Sequence, residues 1–194
     1  ILQGILGTYM TSIIKKFASL LIILLFTSQA MAIVQFRGHY GLGQPEGYQN
    51  SSQSVDTSAL GADVIISLPL IPIIFGLRYE NITSDEDFGA INDEIDLNRI
   101  AILGGYRIID TLLFVGVLGS FGIINDGEIT RTLAGVKTTS EIDMSTSLTV
   151  AVEGGVKLND FILGLELGYM HGEDKDNNFD YDGTYGKAIL GYEF

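Results

Sequence analysis

The chain has 194 residues, no Cys, no Trp, 24 Gly, 9 Tyr and 10 Phe, and a formal net charge of −13. That length suggests one domain, and the missing thiols exclude disulfides, zinc–thiolate sites and lipoprotein-type acylation. The acid excess excludes nucleic acid as a partner, because phosphate binding needs a basic surface.

Residues 1–9 precede a plausible start at Met10 and read as an upstream over-extension of the frame. From Met10 come Lys15 and Lys16, an apolar run over 17–27, and the small-x-small site Ala30-Met31-Ala32. Residues 10–32 therefore read as a cleaved signal peptide, because the run is about half of the ~20 residues a spanning helix needs. Losing both lysines moves the formal charge from −13 to −15. Residues 33–194 form the mature domain.

From Ile33 onward the pattern has period two, which sends successive side chains to opposite faces of a strand. Segment one, 34–42, sets Val34, Phe36, Tyr40 and Leu42 against Gln35, Arg37, His39 and Gly41. Segments two (60–68), three (73–82) and four (97–108) put Asp63, Arg78, Glu80, Arg99 and Arg107 on the more polar face, together with Ile65, Ile74 and Leu103. Segment five, 112–123, is apolar on both faces, so its phase is ambiguous. Segments six (147–158), seven (161–171) and eight (184–194) alternate cleanly and place Glu153, Lys157, Glu166, Lys187 and Glu193 on the polar face. Short links at 69–72, around Asp110 and at Asn159-Asp160 alternate with long polar stretches after segments one, three, five and seven. That alternation marks an up-and-down antiparallel meander of eight strands.

Such a meander fits a soluble barrel with a buried apolar face or a membrane barrel with the faces inverted. Three features favour the second. The polar face carries six bases and five acids among many glycines, a set that suits a narrow interior of paired ions better than a wetted surface. The four long links hold 16 of the 24 acids and only Arg131, Lys137 and Lys175 as bases. Aromatic residues of the apolar face, among them Phe36, Tyr79, Tyr106, Phe161, Tyr169, Tyr192 and Phe194, lie toward segment ends, where interfacial belts form. Segments of nine to twelve residues also match a tilted crossing. The fold class is thus an all-β, eight-stranded antiparallel transmembrane barrel.

On the signal peptide, the eight segments, the loop asymmetry and the closing Tyr192-x-Phe194, residues 33–194 resemble small outer-membrane barrels of the OmpA transmembrane-domain and OmpX type. The resemblance implies location in the outer membrane after export, with membrane lipids and lipopolysaccharide as surroundings. It also implies that Tyr192 and Phe194 form a signal for the outer-membrane barrel assembly machinery, and that a partner meets the long loops outside. No peptidoglycan-binding domain is expected after Phe194.

Candidates for chemistry are few. His39 is read as a lumenal hydrogen-bonding residue. His171 could belong to a lipid-A-modifying hydrolase, but the sequence reads His171-Gly172-Glu173 where that chemistry needs His-x-Ser. Asp174, Asp176, Asp180 and Asp182 alternate like oxygen ligands of a cation, yet an EF-hand alignment fails at Ile189. They remain a weak divalent-cation candidate beside the reading of a solvated acidic loop. No cofactor and no catalytic residue is assigned. The expected role is structural or interactional (envelope integrity or adhesion), with Arg37, Asp63, Arg78, Glu80, Arg99, Arg107, Glu153, Lys157, Glu166, Lys187 and Glu193 plugging the lumen. The alternative is a small channel for ions or apolar compounds, supported by Ile65, Ile74 and Leu103 inside.

Overall fold

The computed structural model describes residues 32–46, 56–68, 71–87, 91–143, 146–174 and 179–194, excepting the side chains of 45–46, 85–87, 91, 93, 142–143, 174 and 179–181. Residues 1–9, read above as an over-extension, and residues 10–31 of the segment read as a signal peptide lie outside this range.

Among the described residues nine strands follow one another: β1 (Ile33–Glu46), β2 (Thr57–Leu68), β3 (Ile71–Asp87), β4 (Ile91–Asp110), β5 (Leu113–Leu133), β6 (Val136–Asp143), β7 (Thr146–Leu158), β8 (Phe161–Asp174) and β9 (Phe179–Glu193). Every pairing is antiparallel, each barrel strand lies beside its neighbour in the chain, and β1 pairs with β9 to close the ring. β6 and β7 share one register on β5, with Asp126↔Asp143 and Gly122↔Ser147 flanking the join. They are therefore two lengths of a single stave, and the barrel has eight.

Partners can be followed round the ring from Gln35 through Ile65, Gly76, Leu103, Ser120, Thr149, Met170 and Gly183. The path returns to β1 at Pro45, ten residues above its start. Such a stagger on eight strands tilts them by about 40° and leaves an interior that side chains can fill.

Alternation decides the two faces as the sequence indicates. Leu42, Leu60, Val150, Leu165 and Leu167 stand on the outside more than 60% exposed, while Arg37, Asp63, Arg78, Arg99, Glu153 and Glu166 are buried within. A soluble barrel has the reverse arrangement. The ambiguous phase of segment five is settled by a β-bulge, an extra residue that interrupts the pairing. Ile100 pairs with Ile124 and Ala101 with Gly122, so Ile123 has no partner, and both Ile123 and Ile124 face outward. Below the bulge, Phe114, Leu118 and Ser120 point inward; above it, Asn125 does.

Two of the long polar links are not loops. β3 and β4 remain paired up to Asp87↔Asn92, and β4 and β5 up to Ile91↔Leu133. The stretch after residue 124 rises as β5, reverses at Ala134-Gly135 (φ 49° and 83°) and returns as β6. Two consecutive positive φ angles make a hairpin turn whose twist matches its strands. Among the described residues these four strands form a sheet that rises above the β7–β8 ladder, whose uppermost pair is Thr146↔Glu173.

Candidate functional site

Inward positions on seven of the eight staves, all but β5, place the lumenal charges in two clusters. At the short-turn end, Lys157 Nζ lies 2.9 Å from Glu193 Oε2 and 2.7 Å from Asp110 Oδ1. Asp110 faces Arg107 at 3.4 Å. Arg107 Nε then meets Glu153 Oε1 at 2.8 Å, and Arg37 Nη1 meets Glu153 Oε2 at 2.6 Å. Gln35 ties the group together, donating to Glu193 at 2.6 Å and accepting from Arg37 and Arg107 at 3.2 and 3.3 Å.

Further up the lumen, the Arg78 guanidinium holds Asp63 (2.8 and 3.0 Å) and Glu166 (2.7 and 2.8 Å), each through a two-point fork. Glu166 also accepts from the Tyr185 hydroxyl at 2.8 Å. Glu80 pairs with Lys187 and, at 2.6 Å, with Arg99, whose other nitrogens donate to Ser147, Ser120 and Thr149. His39 is buried between Glu80 and Asp63, at 3.3 and 3.6 Å, on the inward face expected of it.

All eleven sequence-predicted lumenal charges thus join one cluster or the other. The residue the sequence reading missed is Asp110, treated there as part of a turn. It supplies the sixth carboxylate, so each cluster holds three acids and three bases. The mismatch of six bases against five acids was the signal that one acid was missing. Neutrality matters because an unpaired ion taken out of water costs several kcal/mol.

Apolar layers complete the plug. Ile65, Ile74, Leu103, Leu118 and Ala151 pack together inside, and Ile82, Ile95, Leu97 and Met170 pack nearer the raised sheet. Phe114 is fully buried at the short-turn end, beneath Arg107 at 4.6 Å. A Cβ on Gly164 would come within 2.9 Å of its ring, and one on Gly155 would meet the Leu163 carbonyl at 2.1 Å as well as the ring at 2.8 Å, which is why glycines occupy the opposing wall.

The other candidates separate. His171 and Asp182 form an exposed cross-strand pair on the outer face near the rim. Asp176, and the side chains of Asp174 and Asp180, lie outside the described residues. Among the described residues no three His, Asp or Glu side chains converge as metal ligands would. Tyr192 and Phe194 join Phe36 and Phe161 in a chain of edge-on rings, with centroids 4.8–5.6 Å apart, across the seam between β1, β9 and β8. The Phe194 N–H donates to the Val34 carbonyl at 2.9 Å.

No family model and no curated relative matches the chain. Solved structures do. Ail, the attachment invasion locus protein of Yersinia pestis, superposes with a TM-score of 0.53 at 12% identity over 84% of this chain and 99% of that one. Neisserial surface protein A gives 0.56 at 12% over 82% and 95%, and the N-terminal barrel domain of Pseudomonas aeruginosa OprF gives 0.51 at 12% over 82% and 97%. The fold is therefore that of the small eight-stranded outer-membrane barrels.

Proposed function

We propose that this chain is an integral outer-membrane protein whose lumen is closed to flow and whose raised sheet makes contacts at the cell surface. The sheet of β3, β4, β5 and β6 carries this reading, because a barrel needs nothing above its rim in order to close. The apolar exterior suits lipid, and acyl chains with lipopolysaccharide are its natural surroundings. Tyr192 and Phe194 would serve the assembly machinery. Attachment, the role in the name of the Yersinia pestis protein of this fold, is what such a sheet fits here.

The test is to replace residues 84–94 and 127–142 with short turns. Cells carrying the trimmed barrel should adhere to a foreign surface several-fold less than wild-type cells, while heat-modifiable gel migration shows the barrel still folded. Equal adhesion overturns the surface role. Planar bilayers should show no large, stable single-channel currents, because two neutral clusters and two apolar layers fill the interior. Such currents would favour the channel reading, for which the buried Ile65–Ile74–Leu103 layer is the support.

A further inference from the structure

Among the described residues β6 has a strand on one side only, β5, and positions 134–141 are all exposed. A strand edge with no neighbouring strand is a template for another strand. Which N–H and C=O groups it offers follows from the turn. In a two-residue hairpin closed by Leu133↔Val136, that pair exchanges hydrogen bonds and the bonded pairs recur at every second residue. Positions 137, 139 and 141 therefore direct their backbone groups away from β5.

The sequence of this edge, VKTTSEI over 136–142, is complementary to its own reversal about Thr139. With two copies antiparallel and a two-fold axis at Thr139, Thr139 meets itself and Lys137 meets Glu141 on both sides. Thr138 then meets Ser140, and Val136 meets the isoleucine position 142. Each residue faces a partner of its own kind or of opposite charge, the pairing that favours a ladder. A lone edge lysine normally blocks such contacts; here Glu141, four residues away, answers it. We propose, building on the surface-contact reading, that the partner of this edge is β6 of a second copy of the chain.

Topology then fixes where that copy sits. Two identical edges join in one sheet only antiparallel, which points the two barrels in opposite directions. Copies in one membrane share a direction and cannot pair in this way, whereas copies in two apposed membranes can. Thr139 lies seven residues above Thr146, so the two rims would stand on the order of 35 Å apart at this tilt. The acidic surfaces repel at long range, and about 0.15 M salt screens this beyond roughly 8 Å.

The test uses proteoliposomes in 0.15 M salt, with folding of each variant checked by gel migration. Wild-type vesicles should aggregate. Vesicles carrying K137E alone or E141K alone should do so at least tenfold less, because like charges then meet on both sides of the axis. Mixing the two single-variant populations should restore aggregation, since every facing pair becomes Glu with Lys. The protein has no cysteine of its own, so T139C should cross-link to itself under mild oxidation while T130C, on β5, does not. Dispersed wild-type vesicles, a mixture that stays dispersed, or a T139C no more cross-linked than T130C would overturn self-pairing. An effect of K137E without one of E141K would overturn this register. Loss of adhesion to a foreign surface on trimming, with wild-type vesicles dispersed, would leave the surface role standing with a different partner.

Discussion

Both carboxylate oxygens of Glu153 are committed, one to Arg37 and one to Arg107, and its side chain is fully buried. Glu153→Gln leaves the buried Arg37 guanidinium without a carboxylate partner and Arg107 with Asp110 alone, at 3.4 Å. Removing one partner of a buried pair typically costs about 3–5 kcal/mol. The urea-unfolding midpoint of the reconstituted barrel should fall accordingly. Asp110 belongs to the same cluster but is about one-third exposed, so water screens what it leaves behind. Asp110→Asn should cost about 1 kcal/mol or less. If the two losses were equal, burial would not be what sets the cost. Steric fit gives a separate test at this scale. Gly164→Leu drives a side chain into the Phe114 ring, the nearest group to a Cβ there at 2.9 Å, and overpacking of this kind costs about 1–3 kcal/mol. The glycines and paired charges were legible as alternation, because each falls on the strand face that excludes water. Asp110 was not, because a residue at a turn has no alternation to place it.

At the scale of the strands, the lengths were less legible than the number. Within the barrel one face meets an apolar surround and the other a polar lumen, so hydropathy swings strongly from residue to residue. Above the rim both faces of β5 and β6 meet water, and Thr130, Thr132, Thr138 and Thr139 give no such contrast. The same polar composition serves a loop and a wetted strand, and only the pairing across β4, β5 and β6 decides for the strand. The bulge at Ile123 adds a second difficulty, since two consecutive apolar residues on one face break a strict period of two. The hairpin should be separable from the barrel in stability. Gly135 has φ 83°, a region that costs a residue with a Cβ about 1–2 kcal/mol. Gly135→Val should speed amide exchange over 130–139 and leave the global unfolding midpoint unchanged. A fall in that midpoint would mean that the raised sheet and the barrel melt together.

For the whole molecule the decisive feature is closure. β1 and β9 hydrogen-bond from Gln35↔Glu193 to Glu46↔Asp182, and Phe194 continues the seam through Val34. Deleting Phe194 removes two backbone hydrogen bonds to Val34 and a ring set edge-on to Phe36 and Tyr192, a modest loss for a barrel already closed. Its yield in the outer membrane should fall further than the unfolding midpoint of the barrels that do assemble, and equal effects on both would remove the assembly role. The sequence alone determined the strand count, the inside and outside faces, and eleven of the twelve lumenal charges, because each is written in a period of two and in the chemistry of single residues. Which acid pairs with which base, the sixth carboxylate, the ten-residue stagger and the sheet with its open edge were decided only by the tertiary structure. They depend on register between strands far apart in the chain, and no local pattern records that.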